Sequence, residues 1–269
     1  MSLNRYHRLI HYALRFAIAM CYIGHGCFGI ITKSIWCNYF GVFGIGHDMA
    51  YTLMPVVGTI DILLGLMMLV YPARIIPGWL VIWGLVTALL RPLSGEPVAE
   101  FFERAGNYGS PLAFLILTGN ADSWKSWFMP VDQRPPGAQQ MLHLQICLRL
   151  VAFLLLLGHG SLNLAGKASL LDQYASIGFR EPDKIAAIIG FAEITGGLLV
   201  LLRPARCLVL LLLIWKITSE VFYPSYSLFE WIERGGSYGI LLALWIVMCA
   251  AGTTKSQLHF YFNKNIAST

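Results

Sequence analysis

The chain has 269 residues, of which 57% are hydrophobic and 12% charged. Its mean hydropathy is +0.64. A water-soluble domain carries about 25% charged residues, so composition excludes a soluble protein and predicts one that lives in a lipid bilayer.

In chain order, apolar stretches run over about residues 10–31, 53–71, 75–91, 106–119, 142–166, 185–202, 207–223 and 236–252. They predict an all-α integral membrane protein of eight transmembrane helices, four per half. The fourth stretch is short for a crossing. It is therefore expected to begin nearer Phe101 and to run through Glu103 and Arg104, placing that pair at the membrane edge or inside the bundle. The polar segment 119–140, with Pro130, Pro135 and Pro136, reads as a linker. It divides the chain into a first four-helix repeat (1–118), a second (141–255) and a C-terminal tail (256–269). The first segment lacks a small-residue cleavage site, and is expected to stay in place as a helix.

Lys and Arg set the expected orientation. With the N-terminus inside, the cytoplasmic segments collect Arg5, Arg8, Arg74, Lys125, Arg134, Arg203, Arg206, Lys255 and Lys264, and both termini are cytoplasmic. The net charge of +5 follows from that topology, and no nucleic-acid partner is expected. The location implied is the plasma (inner) membrane. The six Cys show no paired spacing and read as small apolar side chains.

The chain is also written twice. Arg15 to Lys33 (RFAIAMCYIGHGCFGIITK) returns as Arg149 to Lys167 (RLVAFLLLLGHGSLNLAGK), with Arg, Gly-His-Gly and Lys in register. Gly58-x-x-Asp61-x-x-x-Gly65 answers Gly190-x-x-Glu193-x-x-x-Gly197, Pro72-Ala73-Arg74 answers Pro204-Ala205-Arg206, and Glu103-Arg104 answers Glu233-Arg234. Tandem duplication of a four-span unit keeps the same orientation in both copies, so the halves should be related by rotation about the membrane normal, with Arg74 and Arg206 on one face.

Ionisable residues in a membrane cost roughly 2.5–3.5 kcal/mol each on insertion scales, so the duplicated ones must face one another or a wet cavity. By depth, His25, Asp61, His159 and Glu193 fall in the outer half of the bilayer, with Lys33 and Lys167 further out. Lys216 and Glu220 join them from the second half only, and Arg91 is the nearest cation in the first. The Lys, Arg and acidic side chains can form helix-locking ion pairs or line a site. Gly24, Gly26, Gly158 and Gly160 strip the helix beside each imidazole, which suits either close helix packing or a flat bound group.

Three chemistries use these residues. His25 and His159 could be the axial ligands of one haem b. His25, His159, Asp61, Glu193, Glu103 and Glu233 supply the donors of a dinuclear iron or zinc site, although the Glu-x-x-His pairing of such bundles is absent. Alternatively His25 or His159, tuned by Asp61 or Glu193, exchanges protons with a quinone headgroup and needs no metal. In the last case each His and its acid should share a polar cavity opening outward, and His159→Ala or Glu193→Gln should abolish turnover without unfolding the protein.

Gly158-His159-Gly160, Gly166-Lys167 and Gly190-x-x-Glu193-x-x-Gly196-Gly197-Leu198-Leu199 ending at Arg203-x-x-Arg206 resemble the DoxX-like four-helix membrane proteins, which include the membrane subunit of thiosulfate:quinone oxidoreductase. Residues 141–252 fit better; the first half departs where Asp61 replaces Glu and Ile62 and Leu63 precede Gly65. The resemblance implies two fused four-helix units associated with quinone or sulfur redox chemistry. It makes Glu193 and Asp61 the family acid and Lys167 and Lys33 the family base, and leaves both His without an assigned role. Expected partners are the bilayer and other subunits of a membrane redox complex or further copies of the chain. The chain has no nucleotide-binding Gly-rich loop and no Cys-x-x-Cys-His, so electrons would come from another protein or a bound cofactor. A structural or assembly subunit and a small-molecule transporter are the competing readings.

Overall fold

The computed structural model describes residues 3–132, 134–222 and 228–266, with side chains described over 5–132, 134–221 and 228–251. The side chains of Lys255 and Lys264 and residues 267–269 of the expected tail lie outside these. The first half comprises α1 (Leu3–Ile30), α2 (Trp36–Gly41), α3 (His47–Val70), α4 (Ile75–Leu93), α5 (Ala99–Glu103) and α6 (Ala105–Thr118). The second repeats that order as α7 (Ala138–Leu164), α8 (Ala168–Ser176), α9 (Pro182–Leu202), α10 (Arg206–Ser219), α11 (Leu228–Glu233) and α12 (Gly235–Ile266). The only β pairing among the described residues is a single bridge between Ala73 and Pro130.

Six helical segments are long and apolar enough to cross a membrane: Arg5–Ile30, His47–Val70, Ile75–Leu93, Ala138–Leu164, Pro182–Leu202 and Leu228–Ala251. Large apolar side chains such as Val56, Ile60, Leu63, Ile188, Phe191 and Leu202 stand exposed on α3 and α9, as lipid-facing surfaces require. The remaining two stretches differ from expectation. α6 and α10 have 14 residues each, about 21 Å of helix against a hydrocarbon core of about 30 Å. The continuous helix expected through Glu103 and Arg104 is broken there: α5 ends at Glu103, Arg104 takes φ −90° and ψ 15°, and α6 restarts at Ala105. α11 and α12 are divided in the same way at Arg234. The break lets a charged short helix and an apolar long one occupy one path.

Local sequence fixes the other ends. Pro182 opens α9, where its missing N–H costs nothing, and Asp183 lies in its first turn. α7 is followed by Gly166 at φ 66°, while the equivalent position after α1 is Thr32 at φ 52°, a left-handed conformation that a β-branched residue rarely adopts. The duplicated arginines near the middle of α1 and α7 are carbonyl caps. Arg15 donates through Nε to Met68 O (2.9 Å) and through Nη2 to Leu69 O. Arg149 does the same to Val200 O (3.2 Å) and Leu201 O. Each guanidinium thus satisfies the last turn of the second long helix of its repeat.

The halves interlock about a pseudo-two-fold axis. A Cβ on Gly106 would lie 2.6 Å from Ser237 N, and one on Gly236 would lie 2.7 Å from Gly106 O, so equivalent positions of α6 and α12 touch each other. Ile10, Leu14 and Ile18 of α1 and Leu144, Leu148 and Leu155 of α7 share one buried core with Ile240, Leu241 and Leu244 of α12. Lys33 and Lys167, which follow α1 and α7, line one common hollow, so the two repeats point the same way.

Candidate functional site

The repeated polar residues assemble into two copies of one constellation. His25 Nδ1 on α1 lies 2.7 Å from Asp61 Oδ2 on α3, and Trp83 Nε1 on α4 donates to Asp61 Oδ1 at 2.9 Å. His159 Nδ1 on α7 lies 2.5 Å from Glu193 Oε2 on α9, and Trp215 Nε1 on α10 donates to Glu193 Oε1 at 2.8 Å. Both carboxylate oxygens are therefore engaged in each copy, which fixes the imidazole against its acid. The indoles are the part that motif reading misses. The signal was present: Trp83 and Trp215 each stand 22 residues after the acid and 132 residues apart.

Glycines bring these helices close enough. A Cβ on Gly26 would lie 2.5 Å from Gly58 O, and one on Gly160 2.8 Å from Gly190 O, so one flank of each imidazole packs on the acid-bearing helix of its own repeat. The other flank packs across the axis: a Cβ on Gly24 would clash with Glu233 N, and one on Gly158 with Glu103 N. Of the two readings left open for these four glycines, close helix packing is the one seen, since all four face protein backbone. Backbone occupies that surface because only a residue without Cβ admits it.

Ion pairs also cross between the repeats. Lys33 Nζ of the first half bonds Glu230 Oε1 of the second at 2.9 Å, and Lys167 Nζ of the second bonds Glu100 Oε1 of the first at 2.6 Å. Arg104 reaches Glu100 (2.6 Å) and Glu103 (2.7 Å), while Arg234 reaches Glu103 (3.1 Å). Arg91 lies 3.1 Å from Glu96 and 3.5 Å from Glu100. All of these side chains but Glu103 line a hollow of about 400 Å³ at the pseudo-axis. Lys33 and Lys167 thus tie the halves together, apart from the His–acid pairs.

The two copies differ in access. Beside His25 is a cavity of about 90 Å³ walled by Trp36, Tyr39, Phe40, Trp83, Arg91 and Arg104. His25 stacks on Trp36 with ring centroids 4.7 Å apart. Trp36, Tyr39, Arg91 and Arg104 also wall the axial hollow, so the two spaces adjoin. Tyr39 donates to Glu96 at 2.6 Å under the Arg91 guanidinium; burial first, and then that bond to Glu96, push its phenol above the ordinary range, with Arg91 opposing. In the second half the corresponding space is filled. Lys216 and Glu220, 132 residues after Gly84 and Ala88, form a buried ion pair of 2.9 Å. Tyr174 donates to Asn163 Oδ1 at 2.7 Å, and Asn163 Nδ2 stands 3.3 Å from His159 Nδ1. The His159 side chain is 4% exposed against 15% for His25. The expectation that His159 shares an open polar cavity with Glu193 is corrected: large polar side chains occupy that room. Glu193 and Trp215 instead border a nearly apolar cleft between α9 and α10.

The metal chemistries fit this arrangement poorly. Among the described residues no three His, Cys, Asp or Glu side chains converge as a ligand set. His25, Asp61, His159 and Glu193 form two separate pairs, and Glu103 is held by Arg104 and Arg234 rather than turned to either imidazole. A haem shared by His25 and His159 would need room along both Gly-His-Gly helices, where α5, α11 and the acid-bearing helices are packed. What remains is an imidazole, held from behind by its carboxylate, on the wall of an aromatic cavity in one repeat. No protein-family model, curated protein or solved structure matches the chain.

Proposed function

We propose that the chain is a multi-pass membrane protein of eight crossings, both termini cytoplasmic, whose first repeat binds a quinone headgroup and exchanges protons with it. One observation carries this reading: the Asp61-oriented imidazole of His25 lies on the wall of a cavity lined by Trp36, Tyr39, Phe40 and Trp83, with Arg91 and Arg104 beside it. Aromatic walls suit a flat ring, and the two guanidiniums suit oxygens that gain negative charge on reduction. A quinone that takes up two electrons also takes up two protons. An imidazole held by a carboxylate can relay those protons near neutral pH, and electrons enter from a partner protein or a thiol or inorganic sulfur donor. The resemblance to DoxX-like proteins supports the same association, and the plasma (inner) membrane is the setting it implies.

The test is binding and reduction of a short-tailed quinone by nanodisc-embedded protein carrying His25→Ala or Asp61→Asn. Loss of binding or turnover with unchanged melting temperature supports the reading; wild-type protein that binds no quinone rejects it. The assembly-subunit reading is favoured by the ion pairs that cross the repeats, because such buried lattices hold helices in register without chemistry. Variants that lose stability in proportion to activity would favour it.

A further inference from the structure

At the opposite end of α1 from Lys33, His7 and His11 present unpartnered buried imidazole nitrogens: Nδ1 of His7, and both Nδ1 and Nε2 of His11. The residues are 9% and 4% exposed. Buried imidazole nitrogens ordinarily find a partner, so three orphaned atoms in one place ask for one. The two residues are four apart on one helix, hence on one face one turn apart. Both border a small hollow of about 10 Å³ whose other walls include Thr118 at the end of α6 and Asp132 and Arg134 of the linker. Neither His takes part in the quinone reading.

We propose that His7 and His11 hold a divalent transition-metal ion between α1 and the linker. Paired imidazoles one helical turn apart are a common way to grip such an ion, and borderline-soft Zn²⁺, Cu²⁺ and Ni²⁺ prefer imidazole nitrogen. No third His, Cys, Asp or Glu joins them as a formed set among the described residues, so the ion takes two protein ligands and leaves the rest of its shell open. Asp132, at present 3.1 Å from Arg134 in an exposed pair, is the nearest acid on the cavity wall. An open shell of this kind suits an exchangeable ion rather than a permanent structural one. The ion would tie the linker between the repeats to the start of the first helix.

The experiment titrates Cu²⁺ into nanodisc-embedded protein purified without a polyhistidine tag, followed by electron paramagnetic resonance with Zn²⁺ as competitor. The expected result is one equivalent of Cu²⁺ with nitrogen couplings from two imidazoles, displaced by Zn²⁺. His7→Ala and His11→Phe should each weaken binding at least tenfold, whereas His47→Ala should leave it unchanged. His11→Phe keeps an aromatic ring against Phe114, whose centroid lies 5.0 Å from the imidazole, so it separates ligand loss from misfolding; melting curves of each variant check this. The proposal is overturned if wild type binds no Cu²⁺ at concentrations on the order of 100 µM. It is equally overturned if folded His11→Phe or His7→Ala binds as tightly as wild type.

Discussion

The two halves of this protein carry the same His–acid–Trp constellation in opposite settings. In the first half Gly84 and Ala88 stand where the second half has Lys216 and Glu220, and His25 borders a cavity. In the second half an ion pair and the Tyr174–Asn163–His159 chain occupy that room. Duplication therefore preserved the pair and its geometry while the surroundings diverged, so that one imidazole borders a cavity and the other is packed over. A residue repeated in sequence is not thereby repeated in role.

The largest effect should come from the lattice that both halves share. Glu103→Gln leaves Arg104 and Arg234 without a common carboxylate, and breaking one member of a buried pair costs about 3–5 kcal/mol. A melting-temperature drop larger than for any single site variant is expected, and an unchanged melting curve in nanodiscs would break the picture of interlocked repeats. Next is the glycine contact across the axis. Gly158→Ala drives a Cβ into Glu103 N, and overpacking of this kind costs roughly 1–3 kcal/mol. Gly41→Ala, whose Cβ would meet nothing, is the matched control, and equal melting temperatures for the two variants would reject the packing role.

The divergence of the copies can be sharpened with paired acid variants. Glu193→Gln should chiefly lower stability, by about 1–3 kcal/mol for disturbing a buried charge-assisted bond, whereas Asp61→Asn should chiefly lower quinone binding. The reverse ranking, read from melting curves and binding isotherms, would exchange the roles of the halves. The smallest effect is local: Thr32→Gly gives the first repeat the residue found at Gly166, and relieving a left-handed β-branched residue should stabilise by up to about 1 kcal/mol. A lower melting temperature would show that the Thr32 side chain contributes more than its strain costs.

Much of the architecture was legible in the chain because it was written as spacing. Arg15 and Arg149, the Gly-His-Gly helices and the Asp61 and Glu193 helices all recur in register, and the structure joins each His to its acid as the spacing implied. What was not legible is what depends on atoms far apart in sequence. The breaks at Arg104 and Arg234 follow from charged short helices packing against Gly158 and Gly24 of the other half, which no local propensity reports. The apolar surroundings of Trp83 and Trp215 in α4 and α10 hid their role, since an indole reads as membrane filler until its N–H finds a carboxylate. The openness of one copy rests on Gly84 and Ala88 against Lys216 and Glu220. That difference was visible as a broken symmetry, but its direction was not, because a buried ion pair can line a site or fill one.

The most direct test of that asymmetry is the affinity of a short-tailed quinone for His25→Ala and His159→Ala in nanodiscs, measured below the melting temperature of both. The account predicts at least a tenfold loss for His25→Ala, equivalent to about 1.4 kcal/mol, and a change of less than about threefold for His159→Ala, whose defect should appear in its melting curve. Equal losses in both variants, or a larger loss in His159→Ala, would contradict it.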